Sequence, residues 1–218
     1  MTKVDFVLAG VGGQGTILAS DVLAAVGLST GHDVKKSEVH GMAQRGGSVT
    51  TYVRWGEKVY SPLIGPGEAD YLLAFEKLEA LRHIELLRPG GIALVNDYAV
   101  PPLSVSSGTD EYPNDERIMR IVGAVTPNYY LVPAITLAEE LGNPRVNNVV
   151  LLGSLSYWLR DVPLPVWLDA IHQRVPPKFT ELNEQAFSVG KEAMQKLQPC
   201  PEYMASTARE AEDSYRLD

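Results

Sequence analysis

Gly10-Val11-Gly12-Gly13-Gln14-Gly15 carries the spacing G-x-G-x-x-G between a short apolar run and a helical pattern. Glycine has a separate use at each place: Gly10 makes a tight turn, Gly12 lets an anion reach the backbone, and Gly15 lets helix and strand pack closely. The following helix would offer its unpaired first amides to a phosphate. A turn that merely holds strand and helix together has the same glycines, so anion binding and packing are both open. A second candidate is Ser37-Glu38-Val39-His40-Gly41-Met42-Ala43-Gln44-Arg45-Gly46-Gly47, a loop of mostly small residues that carries Glu38, His40, Gln44 and Arg45. Arg45 has the planar fork that holds a carboxylate or phosphate, and Gly46 and Gly47 allow close backbone approach. The alternative is an Arg45–Glu38 pair that pins the loop. His40 is an acid–base candidate with no partner visible in the sequence.

A dinucleotide enzyme places an acidic residue about 20 positions beyond its glycines to hold the ribose. Here the stretch is Asp33-Val34-Lys35-Lys36-Ser37-Glu38, with Asp33 early in the expected strand and two lysines where the acid should be. This weakens a nicotinamide reading. Cys200 is the single cysteine. An iron–sulfur cluster, a structural zinc or an internal disulfide each needs more than one, so any such centre must come from another chain.

The elements that would position these residues follow from periodicity. Val4-Asp5-Phe6-Val7-Leu8-Ala9 is a short, mostly apolar run suited to a buried parallel strand, and Thr16 to Val26 repeats apolar residues at helical spacing. Asp33 to Val39 is extended; Val49 to Trp55 and Val59-Tyr60 flank Gly56-Glu57-Lys58 as a hairpin. Ala69 to Phe75 and Gly91 to Asn96 form strands joined by a helix over Lys77 to Leu87, and Ser104 to Asp115 is a loop. A helix over Glu116 to Val122 leads to a strand over Tyr129 to Val132. Helices then run through Ile135 to Leu141, Val146 to Leu159, Val166 to Arg174 and Lys178 to Leu197. The fold class is therefore α/β: a Rossmann-like, mainly parallel sheet with helices on both faces, an antiparallel hairpin addition and a helical C-terminal part. Residues 1–197 are expected to form one domain and 198–218 a tail.

Asn147 or Asn148 would cap the helix that follows, and Tyr157, Trp158 and Trp167 are core or subunit-contact aromatics. Asp97-Tyr98 suits a loop. The net charge of −8 and pI near 5.1 argue against binding nucleic acid through a broad basic surface. No apolar span or cleavable leader is evident, so the expected setting is cytoplasmic, without a membrane partner.

The glycine turn together with Glu38-Val39-His40-Gly41-Met42-Ala43-Gln44-Arg45-Gly46-Gly47 resembles the gamma domain of pyruvate and related 2-oxoacid:ferredoxin oxidoreductases, within it most the beta subunits of the indolepyruvate enzymes. The resemblance extends through Ser61-Pro62-Leu63-Ile64, Asp70 to Leu78, Asn147 to Gly153 and Asn183-Glu184-Gln185-Ala186-Phe187 with Gly190. It implies a subunit inactive alone. Thiamine diphosphate, its magnesium ion and 4Fe-4S clusters would lie in a large partner, giving a hetero-oligomer that reaches ferredoxin indirectly; the isolated chain could form a homodimer. The reaction implied is oxidative decarboxylation of a 2-oxoacid with coenzyme A to acyl-CoA, carbon dioxide and reduced ferredoxin. Since thiamine does the covalent chemistry, no catalytic residue is expected in this chain and no metal ligand. Gly10, Gly12, Gly13, Gln14, Gly15 and the Glu38–Gly47 loop would then contact coenzyme A or the partner. A stand-alone nicotinamide-dependent oxidoreductase and a nucleotide-binding structural subunit are the alternatives.

Overall fold

The computed structural model describes residues 3–40 and 47–200. In β1 (Val4–Val11), Phe6 and Leu8 enter one apolar cluster and Val7 and Ala9 the other, all four fully buried. Side chains alternate across a strand, so one covered on both faces must be apolar along its middle. Leu72, Leu73 and Ala74 of β4 (Ala69–Ala74), and Ala93, Leu94 and Val95 of β5 (Leu87–Asn96), divide between the same clusters.

The remaining strands are β2 (Asp33–His40), β3 (Ser48–Gly56) and β6 (Tyr129–Val132), and the sheet order is β2-β3-β1-β4-β5-β6. β1, β4, β5 and β6 are parallel neighbours, while β3 runs antiparallel to β1 and to β2. α1 (Thr16–Ser29), α5 (Ala134–Glu140), α6 (Asn147–Ser156), α7 (Leu164–His172) and α8 (Thr180–Lys196) supply the first cluster. α2 (Lys77–His83) and α4 (Asp115–Val125) cover the opposite face, and the short α3 (Leu103–Ser106) lies in the connection before α4. The α/β class, the mainly parallel sheet with helices on both faces, the antiparallel addition and the helical C-terminal part are all present.

The hairpin is made by other strands than periodicity suggests. β3 is internal, with β1 on one side and β2 on the other, so no edge is left for Val59-Tyr60. Val59 N–H instead donates to Asp33 Oδ2 at 2.9 Å, and Tyr60 is 90% exposed. β2 and β3 form the antiparallel pair, and residues 41–47 join them. This register also buries an ion pair: Arg54 on β3 donates Nε to Asp5 Oδ1 at 2.9 Å and Nη2 to Asp5 Oδ2 at 2.8 Å, a bidentate bond beneath the 61–63 segment.

α6 and α8 approach until their backbones touch, at Gly153 and Gly190. Ser154 Oγ donates across the crossing to Gly190 O at 3.0 Å. Beyond α8 the chain returns to the sheet: Cys200 N–H donates to Tyr129 O at 2.7 Å, and burial raises the half-buried thiol above its ordinary pKa. Cys200 is thus docked on β6 and is not a loose tail thiol. Among the described residues no helix is long and apolar enough to cross a membrane.

Candidate functional site

The carboxyl ends of the parallel strands bring the two sequence motifs together. The β1–β3 ladder pairs Gly10 with Val49 and Val11 with Ser48, then continues as Gly12 N–H donating to Gly47 O at 2.9 Å. One turn therefore carries the glycines and receives the end of the second loop. Gln14 closes it: its Oε1 accepts from Val11 N–H at 2.7 Å and its Nε2 donates to Phe75 O, after β4, at 3.2 Å. Asn96 Nδ2 donates to the same carbonyl at 3.2 Å, and Asn96 Oδ1 accepts from Ile135 N–H at 3.1 Å. Two amide side chains thus stitch β1, β4, β5 and α5 across the edge where an α/β sheet opens its ligand crevice.

Gly15 is the residue before α1 and is left-handed, with φ of 80°. A Cβ there would lie 2.3 Å from Asn148 Nδ2, the atom that donates to Gly15 O at 3.3 Å. Asn148 therefore does not cap α6, for which Val146 takes the cap position without a side-chain bond. It docks α6 on the glycine turn instead. α1 itself starts with no side-chain cap and no acidic residue in its first turn. Thr16 Oγ1 below it is buried with no partner among the described residues. Gly13, with φ of 104°, faces open space.

On the other side of the loop, Ser48 Oγ donates to Glu79 Oε2 at 2.5 Å, and Arg82 Nη1 bonds Glu79 Oε1 at 2.5 Å. His83 Nε2 lies 2.9 Å from Thr50 Oγ1. The first residues of β3 are thereby tied to α2. Burial pushes the Glu79 carboxyl up, but the bonds from His83 and Ser48 and the charge of Arg82 outweigh it and hold the group below its ordinary value of 4.5. A carboxylate with a lowered folded pKa stabilises the fold above its unfolded value, and that stability is lost as pH falls through the folded value. Glu79→Gln is therefore expected to lower stability by about 1–3 kcal/mol at neutral pH, with the gap to the unsubstituted chain closing as the pH falls through the lowered folded value. Urea midpoints measured from neutral to acid pH check this, and a gap independent of pH would contradict it.

Glu76 holds the excursion after β5. Its carboxylate accepts from Glu79 N–H and Val100 N–H, both at 3.0 Å, and from the Tyr112 hydroxyl. Burial first, and Glu76 second, raise the Tyr112 phenol far above its ordinary range. Lys77 Nζ pairs with Asp97 at 3.2 Å and Asp115 at 2.7 Å, so Asp97 serves an ion pair.

Of the residues singled out in the sequence, Gly10, Gly12, Gly13, Gln14, Gly15 and Gly47 meet at this edge. Glu38, near the end of β2, accepts from Lys36 Nζ at 2.5 Å, and Lys36 also pairs with Asp21. His40 is the last residue of β2. Gly41, Met42, Gln44, Arg45 and Gly46 lie outside the described residues. Asn96, Asn148, Glu76 and Glu79 were not anticipated as parts of this edge; a polar residue closing an apolar strand was the one available signal, at Asn96.

The nicotinamide alternative loses its ribose site. Asp33 opens β2 at the amino end of the sheet, where Lys35 Nζ at 2.8 Å and Val59 N–H occupy its carboxylate. The strand beside β1 on that side is β3, running in the opposite sense, which sets β2 two strands, about 10 Å, from β1. The class defined is a Rossmann-like α/β domain whose glycine turn is joined to a neighbouring loop rather than to a dinucleotide ribose site.

The model of the pyruvate ferredoxin/flavodoxin oxidoreductase family matches residues 5–193, and the chain belongs to that family. It is 40% identical over 200 residues to the indolepyruvate oxidoreductase subunit IorB of Pyrococcus horikoshii, covering 90% of this chain and 98% of that one. The same subunit of Thermococcus kodakarensis is 39% identical over 202 residues, with 90% and 98% covered. Among solved structures, the gamma subunit of a keto/oxoacid ferredoxin oxidoreductase from Geobacter sulfurreducens aligns with a TM-score of 0.63 at 26% identity, covering 88% of this chain and 98% of that chain. The chain is accordingly a subunit of a 2-oxoacid:ferredoxin oxidoreductase, as its motifs led us to expect.

Proposed function

We propose that the chain is the small, cluster-free subunit of a cytoplasmic indolepyruvate:ferredoxin oxidoreductase. The likeness to archaeal indolepyruvate subunits along nearly their whole length supports an aryl pyruvate as the 2-oxoacid. A separate large subunit carries thiamine diphosphate, its magnesium ion and the 4Fe-4S clusters, because one cysteine cannot ligate a cluster. That subunit oxidatively decarboxylates the 2-oxoacid with coenzyme A and passes two electrons to ferredoxin.

The junction of Gly12 with Gly47 is the observation that carries the role of this chain. It fastens the end of the Glu38–Gly47 loop, at Gly47, to the carboxyl edge of the sheet. Gly12 N–H is already used for that junction and Gln14 for closing the turn, which favours a scaffold for the loop over a phosphate cradle made by the turn alone. Arg45 binds an anionic group of coenzyme A or bridges to the large subunit.

In the enzyme reconstituted from both subunits, Arg45→Ala is expected to raise the KM for coenzyme A or the dissociation constant of the subunits about tenfold or more, the loss of one charge-assisted contact. Both quantities unchanged would refute the role given to Arg45. A chain that never associates with a large, brown, thiamine-containing polypeptide, or saturable NADH binding by the chain alone, would refute the proposed role.

A further inference from the structure

On the helical side of the molecule a cleft of about 390 Å³ opens between the end of α6, the start of α7 and α8. Roughly 300–1,000 Å³ is the usual size of a small-molecule site. Tyr157 supplies aromatic surface, with Trp167 buried behind the wall, Val162 and Leu164 an apolar rim, and Arg160 and Lys191 two cations. No lining residue is acidic, although the chain carries a net charge of −8. Neither cation has a carboxylate partner among the described residues.

Arg160 is oriented before any ligand arrives. Its guanidinium lies over the Tyr157 ring at 5.0 Å from the centroid, and its Nε donates to Tyr157 O at 3.3 Å. A stacked and tethered guanidinium loses less freedom when its remaining donors engage an anion. α7 also begins at this cleft with no side-chain cap and no acidic residue in its first turn, so its amide end adds to the positive field. Trp167 is 1% exposed and packs on Phe187, their ring centroids 5.5 Å apart, which makes that wall rigid.

We propose that this cleft binds a small aromatic carboxylate, its ring against Tyr157 and the Val162–Leu164 rim and its charge between Arg160 and Lys191. The Tyr157 wall and the apolar rim select a planar apolar body, and two cations without a carboxylate partner among the described residues select a negative head. The inference stands independently of the activity proposed above.

The test is calorimetric titration of the full chain with phenylacetate, paired with tryptophan fluorescence. Saturable binding is expected, weakened tenfold or more in Arg160→Gln and in Lys191→Gln, with melting temperatures unchanged because both side chains reach the surface. Benzyl alcohol, which lacks the charge, and inorganic phosphate, which lacks the ring, are each expected to bind at least tenfold more weakly. Absence of saturable binding, equal affinity in both variants, or equal affinity for phosphate would overturn the proposal. So would loss of phenylacetate binding once the chain is assembled with its large partner, since the cleft would then belong to an interface between subunits.

Discussion

Gly190→Ala is expected to destabilise the fold by about 3 kcal/mol, the upper part of the range for forced overpacking. A Cβ on Gly190 would stand 2.0 Å from Val150 O, and one on Gly153 would stand 2.0 Å from Phe187 O. Both obstacles are backbone atoms inside helices, so neither can swing aside. α6 and α8 would have to separate, stretching the bond from Ser154 Oγ to Gly190 O and opening the packing around Phe187 and Val150, both fully buried. For a chain of this size the melting temperature should fall by roughly 6–12 °C. Glu192→Ala, on an exposed position of the same helix, should change stability by no more than about 0.5 kcal/mol. A Gly190→Ala chain within about 1 kcal/mol of the unsubstituted one would mean that the two helices are not in backbone contact.

Gly15→Ala combines two penalties and is expected to cost about 3 kcal/mol. A left-handed backbone costs a non-glycine residue roughly 1–2 kcal/mol, and the added methyl would collide with Asn148 at Nδ2, Cγ and Cβ, at 2.3, 2.9 and 3.3 Å. Asn148 is 2% exposed and has little room to move. The double variant Gly15→Ala/Asn148→Ala removes the collision and leaves the backbone strain. It should therefore be less destabilised than the sum of the single changes by about 1 kcal/mol or more, a coupling that denaturant titration of the four chains measures. Strict additivity would show that Asn148 does not press on the turn. In the assembled enzyme the same substitution is expected to weaken coenzyme A use or subunit association, because the turn that anchors Gly47 also carries Gly15.

Much of this architecture is legible in the chain. A strand buried on both faces is apolar along most of its length, which is why Val4 to Ala9, Ala69 to Phe75 and Gly91 to Asn96 stand out, their polar members Asp5, Asp70 and Asn96 lying near the strand ends. The helices from residue 115 onward show in their apolar spacing within a few residues of their ends. The glycine turn lies between strand and helix as its pattern requires. The family was legible for another reason: Glu38 to Gly47 is an unusual string, and its coincidence with the glycine turn is far more specific than either alone.

The pairing of strands was not legible in the same way. Val59-Tyr60 has strand-like residues and a turn glycine before it, yet hydrogen-bonding partners are settled by which edges are free, and both edges of β3 are taken. Asn148 looks like a helix cap because an asparagine at the start of an apolar helix ordinarily is one. Its partner, Gly15 O, is 133 positions away in the chain. Nothing in the sequence around Glu76 and Glu79 signals burial, and only the fold of the chain around them makes them buried acceptors.

The glycine turn shows most clearly where the division falls. Local pattern settled that a strand, a tight turn and a helix occur there, and that one cysteine is too few to ligate an iron–sulfur cluster, because periodicity, backbone freedom and ligand number are properties of neighbouring residues or of composition. What the turn is joined to was decided by tertiary structure. Gly12 meets Gly47, Gln14 meets Phe75 and Gly15 meets Asn148 through bonds between residues far apart in sequence. Such bonds depend on strand order and on which helix crosses the sheet, and no window of sequence contains that information.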